Sequence, residues 1–132
     1  MQAAVTVTML CIGSRPSDLR AYIFFKVRDV LTAVQVTGIM GTKRTPELIP
    51  LCHVLNLMGT DVTFVMEEPN TIRAACRVKC DGKTGVEMEA LTGVATALLA
   101  IYDMCKAIDH RMVIGDIHLV EKTGEKSGHF KF

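Results

Sequence analysis

The sequence predicts an α+β sandwich, a four-stranded antiparallel sheet with helices packed on one face. Three observations carry that prediction. Residues 61–80 hold two alternating apolar runs separated by Glu67-Glu68-Pro69-Asn70, the strongest hairpin pattern in the chain. Residues 82–108 form a small-residue amphipathic segment whose apolar stripe runs through Leu91, Val94, Ala95, Leu98, Tyr102, Cys105 and Ile108. Strand-like alternation also occurs near each end of the chain.

Taken in order, residues 4–10 alternate through Val5-Thr6-Val7-Thr8, as a half-buried strand does, and Gly13 to Pro16 end that run. Ser17 and Asp18 suit the start of a short helical turn. Residues 29–41 place Val30, Ala33, Val34, Thr37, Gly38 and Gly41 at helical spacing, which outweighs their β-branched content. Pro46 and Pro50 mark a loop, followed by a strand over 61–66 and its partner over 71–80. In the second strand Ile72, Ala74, Cys76, Val78 and Cys80 share one face, and Arg73, Ala75, Arg77 and Lys79 the other. After the long helix, residues 112–120 return to strand. The order β-α-β-β-α-β is that of a ferredoxin-like sandwich. No internal repeat is present, residues 1–132 read as one domain, and the polar tail at 121–132 is expected to be loose.

With 132 residues, 49% apolar and 22% charged, the chain is large enough to bury a core within one domain. A net charge of +1 provides no general attraction for nucleic acid, so a charged ligand must meet local clusters. Lys26, Arg28, Lys43 and Arg44 form one candidate cluster, Lys79 and Lys83 another, although solvated basic faces have the same pattern. The five cysteines fit no secreted framework and sit mostly within apolar runs, as expected of reduced thiols. No basic leader with a long apolar block opens the sequence, and no segment approaches the roughly 20 apolar residues that span a bilayer. A soluble, cytoplasmic protein with no membrane partner is the expectation.

Several short patterns suggest chemistry. Gly82-Lys83-Thr84 resembles the end of a phosphate loop, but Arg77 stands where that motif needs its first glycine; an ordinary turn or a local anion contact remains. Cys52, His53, Cys76 and Cys80 lack the paired spacing of a zinc site, so no metal is expected. His53, in a loop beside apolar residues, suits proton transfer, and a satisfied structural histidine fits the same spacing. Glu87 and Glu89 flank Met88, so an extended backbone would present both carboxylates on one side; acids that merely start a helix are the competing explanation. Asp103 and Lys106, three apart, share a helix surface as a potential catalytic couple or as a simple ion pair.

Distance bears on these choices. On a continuous helix Glu89 and Asp103 are fourteen positions apart, roughly 21 Å, too far to share one small substrate within a single chain. A site using both must combine chains, with His53 and the glutamate pair from one and Asp103 and Lys106 from another.

The segments KRTPELIPLCH (43–53), GKTGVEMEALT (82–92) and IYDMCKAIDHRMVI (101–114) closely resemble the cyclic pyranopterin monophosphate synthase family, the molybdenum cofactor biosynthesis protein C family. The resemblance runs from about Asp29 to the C-terminus, where EKTGEKSGHF follows the family's Lys-x-Gly-Gly-x-x-Gly-x-Phe ending with Glu125 in place of a glycine. It implies a ferredoxin-like enzyme converting 3',8-cyclo-7,8-dihydro-GTP, the product of a radical S-adenosylmethionine enzyme, into cyclic pyranopterin monophosphate with release of pyrophosphate. It further implies a homohexamer, a trimer of dimers with sites between subunits. No redox cofactor is implied; magnesium would accompany the triphosphate. Position by position, the resemblance places Lys43, Cys52, His53, Glu87, Met88, Glu89 and Lys122 in the substrate site and Asp103 and Lys106 in the catalytic group. A lysine beside a second cation or apolar groups loses its proton more readily, which would suit Lys106 to acid catalysis.

The chain departs from the family pattern at identifiable points. The family carries a catalytic lysine in Lys-Gly-Asp-Val before its first helix, whereas this chain reads Phe25-Lys26-Val27-Arg28-Asp29-Val30. Alignment on Asp29-Val30 puts Val27 at that position, so Lys26 or Arg28 would supply the cation. Val54 replaces the proline usual after His53, and Gly59 stands where a polar side chain is common. The alternative to the synthase is therefore a relative that retains the nucleotide pocket as a scaffold with weak or no turnover.

Overall fold

Alternation along Thr71–Cys80 builds the centre of the molecule: Ile72, Ala74, Cys76, Val78 and Cys80 are buried, whereas Arg73, Arg77 and Lys79 are exposed. The computed structural model describes residues 2–11, 16–67, 71–125 and 128–132, with side chains described for 30–67, 71–124 and 128–132. In chain order the elements are β1 (Gln2–Cys11), α1 (Pro16–Lys43), α2 (Thr45–Leu48), β2 (Leu57–Glu67), β3 (Thr71–Cys80), α3 (Glu87–Cys105), β4 (Val113–Glu125) and β5 (Gly128–Lys131). The fold is α+β, and the strands form a sheet in the order β2-β3-β1-β4-β5 with every pairing antiparallel.

The core lies between β3 and the helices. Val94, Ala97, Leu98 and Ile101 of α3 join Val34 of α1, Val62 of β2 and the buried row of β3. Small residues allow α1 and α3 to approach closely. A Cβ added to Gly93 would lie 2.5 Å from Thr42 Cγ2 and 2.9 Å from Cys76 Sγ, and one added to Gly38 would lie 3.1 Å from the Gly93 carbonyl oxygen. α1 is also tied to the sheet by Gln35 Nε2, which donates to the Val62 carbonyl at 2.8 Å.

The differences from expectation have local causes. The short turn at Ser17 and the helix at 29–41 are one helix of 28 residues, because no proline or glycine interrupts residues 17–37. The strand expected at 61–66 begins at Leu57, and the one expected at 112–120 continues to Glu125. The tail is not loose: β5 returns antiparallel on β4, so the sheet has five strands rather than four. The helix expected through residue 108 ends at Cys105, with Lys106 as its C-cap. By length and mean hydropathy α3 is long and apolar enough to cross a membrane, contrary to the expectation that no segment is. Its Val94, Ala97, Leu98 and Ile101 instead belong to the core. Residues 68–70, which hold part of the expected hairpin turn, lie outside the described residues.

Candidate functional site

Two loops meet at the N-terminal end of α3. The first, residues 49–56, follows the short α2, where Pro46 and Pro50 punctuate the backbone. The second, residues 81–86, connects β3 to α3. The Asp81 amide donates to the Asn56 carbonyl at 3.2 Å, which fixes the loops beside each other, and the Cys80 thiol donates to the Thr84 carbonyl at 3.5 Å within the second turn. Between them opens a cleft of about 460 Å³ whose walls include Cys52, His53, Thr84, Gly85, Glu87 and Met88.

Four residues singled out in the sequence therefore converge: Cys52, His53, Glu87 and Met88. His53 is exposed at the cleft, where an imidazole can exchange protons with a ligand. Glu87 forms an ion pair with Lys122, bringing a cation from β4 to the start of α3; both side chains are partly buried. Thr84 and Gly85 were not singled out as site residues. Their place immediately before the two glutamates was the available signal, since a turn entering a helix brings its polar groups to the helix N-terminus.

The extended reading of Glu87-Met88-Glu89 is overturned. These residues open α3, where positions two apart point in different directions. Glu87 faces the cleft and Lys122, whereas Glu89 turns inward and is only 2% exposed. The Cys52 thiol donates to Glu89 Oε1 at 3.8 Å, and Oε2 is buried with no hydrogen-bond partner among the described residues. Burial pushes the Glu89 carboxyl above its ordinary value, against the smaller opposing effects of its own backbone amide and then of the Cys52 thiol. Burial, followed by the neighbouring carboxyl, likewise raises the Cys52 thiol.

Asp103 and Lys106 pair at 2.6 Å at the opposite end of α3 and are both exposed. Hydrogen bonding to Asp103 raises the Lys106 pKa, opposite to the proton-shedding lysine that the resemblance suggested, and the smaller opposing effect of desolvation does not reverse it. Their distance from the cleft follows from α3 itself, which is continuous from Glu87 to Cys105. Lys43 is exposed in the last turn of α1 and is not part of the cleft wall. Lys26 belongs to α1, but its side chain lies outside the described ones. Among the described residues, no three histidine, cysteine or acidic side chains converge as metal ligands.

The chain is similar in sequence to known proteins. A cyclic pyranopterin monophosphate synthase of Heliobacterium modesticaldum is 59% identical over 103 residues, covering 77% of this chain and 65% of that relative. The synthase of Limosilactobacillus fermentum is 56% identical over 107 residues, covering 81% and 65%. That of Pelotomaculum thermopropionicum is 51% identical over 123 residues, covering 91% and 72%. The chain thus spans 65% of the length of the first two relatives. The MoaC family model matches residues 4–125, which include the cleft, the Lys122–Glu87 pair and the Asp103–Lys106 pair. With that match across most of its length and identities above one half, the chain belongs to the MoaC family.

Proposed function

We propose that this chain forms cyclic pyranopterin monophosphate from 3',8-cyclo-7,8-dihydro-GTP, releasing pyrophosphate, as a lyase of molybdenum cofactor biosynthesis. The observation that carries the reading is the assembly of Cys52, His53, Glu87, Met88 and Lys122 at one end of α3 in a chain so similar to proteins named for that synthesis. Closing a cyclic phosphate requires a hydroxyl to lose its proton and attack the α-phosphorus while pyrophosphate departs. The step therefore needs a base at the hydroxyl and cations on the triphosphate. His53 and Lys122 serve the phosphates, with Lys43 and Lys26 as further cations, while Glu87 and Met88 contact the base and sugar portion. Magnesium enters with the triphosphate as part of the substrate.

Asp103 and Lys106 complete the chemistry from a neighbouring copy, because α3 holds them too far from their own cleft. The assembly is a hexamer, a trimer of dimers, in which another subunit raises the density of charge around each Lys106. The protomer is a ferredoxin-like sandwich, a reading supported by the β4-β1-β3-β2 portion of the sheet order, and the enzyme works in the cytoplasm. Its substrate comes from a radical S-adenosylmethionine enzyme, with neither nucleic acid nor membrane involved. Incubation of the purified chain with the cyclised dihydro-GTP should yield pyrophosphate and, after oxidation, a fluorescent pterin. A folded protein that binds the substrate yet yields neither would be the scaffold.

A further inference from the structure

We propose that Glu89 is a positioning residue that acts from behind the cleft: its carboxyl group holds the Cys52 thiol and, through it, keeps the segment carrying His53 against the start of α3. The proposal rests on the synthase reading only for the identity of the ligand.

Four observations support it. Glu89 is almost completely buried and is not part of the cleft wall, whereas Cys52 and His53 are. The Cys52–Glu89 hydrogen bond joins positions 37 apart in the chain. Its loop has little else to anchor its middle, since Leu51 is 95% exposed, Val54 is 84% exposed and His53 is open to solvent. The Cys52 amide donates to the Ile49 carbonyl at 3.0 Å, but that bond is local and does not fix the loop relative to α3.

The chemistry suits a buried clamp. An ionised carboxylate at this depth would need strong partners, and Oε2 has none among the described residues. The neutral acid avoids that penalty, while its carbonyl oxygen still accepts from the thiol. The upward direction of the Glu89 pKa agrees with a carboxyl that stays protonated beyond the usual range. Glu87, two residues earlier, pairs with Lys122 and faces the ligand, so the two acids of one motif divide binding from positioning.

Two substitutions isolate the clamp. Glu89→Gln retains a neutral acceptor of similar shape, whereas Glu89→Met retains bulk and removes the acceptor. Cys52 alkylation by iodoacetamide, followed by peptide mass mapping, should be about tenfold faster in Glu89→Met than in the unmodified sequence and within about twofold of it in Glu89→Gln. An unchanged rate in folded Glu89→Met overturns the clamp. Should that variant not fold, Cys52→Ala tests it from the other side: amide exchange in residues 49–56 should quicken while α3 exchange holds, and unchanged loop exchange overturns the proposal. Glu89→Met should also raise KM for the cyclised dihydro-GTP, and the conservative Glu89→Gln should largely rescue that rise. In a Cys52→Ala background, Glu89→Met should add little to that rise, because the link is already cut; a full additive effect would show Glu89 acting by another route. Alkylation and exchange need no turnover, so a failed synthase assay and a failed clamp are separate results.

Discussion

Glu89 shows how burial, rather than residue type, assigns the work of an acid. Its folded pKa lies above the ordinary value of 4.5, so the folded state retains a proton that the unfolded chain releases. The associated stabilisation is complete below the unfolded value and is lost as pH rises through the raised folded value. Denaturation midpoints measured from pH 4.5 upward should therefore decline with pH, and Glu89→Gln should flatten that decline. Equal slopes in the two proteins would show that Glu89 is not the titrating group. Lys106 calls for a different test because it is exposed and already paired. Lys106→Ala should leave thermal stability nearly unchanged but reduce turnover by about 10²-fold or more if it transfers a proton; normal turnover would remove it from the mechanism. The Asp103–Lys106 pair was legible because three positions on a helix bring side chains together. Cys52–Glu89 and Lys122–Glu87 were not legible as pairs, since only folding brings residues so distant in sequence into contact.

α3 packs the core along its length, with the cleft at its N-terminal end and the Asp103–Lys106 ion pair near its C-terminal end. The core role depends on its closest approach to α1, at Gly93. Gly93→Ala must displace Thr42 and Cys76, both buried, so it should destabilise the protein by about 1–3 kcal/mol despite alanine's better helix propensity. Gly82→Ala is the control: an added Cβ meets nothing within 4 Å, and a change within about 0.5 kcal/mol is expected. Chemical unfolding of the two variants measures the difference. The β3 face was readable because a strand fixes side-chain alternation locally, and its Thr71–Cys80 bounds match the structure. The tail was not, because EKTGEKSGHFKF lacks an apolar face and no residue of β5 is buried; antiparallel pairing with β4, rather than burial, makes it a strand. The two glutamates allowed two readings, an extended pair facing one side or acids at a helix start, because three residues are too few to show a helical period; the structure takes the second.

At the scale of the whole molecule, the length of α3 bears on the proposed site shared between two copies. Glu87 and Asp103 stand at opposite ends of one rigid element, roughly 24 Å apart at helical rise, so neither side-chain rotation nor loop movement brings both to one pterin-sized ligand. A second copy can bring its Asp103 end to the first copy's cleft, and a symmetric assembly would repeat that site. Glu87→Gln damages the cleft half and Asp103→Asn the other half, so each variant alone should be nearly inactive. When the two are unfolded together and refolded as an equal mixture, about a quarter of sites formed by random pairing should combine two intact halves and regain turnover. Mixing without subunit exchange should restore nothing. If the refolded mixture stays as inactive as its components while each variant retains its assembly size, both halves belong to one chain and the shared site is wrong. A monomer with full activity by gel filtration would lead to the same conclusion without any substitution.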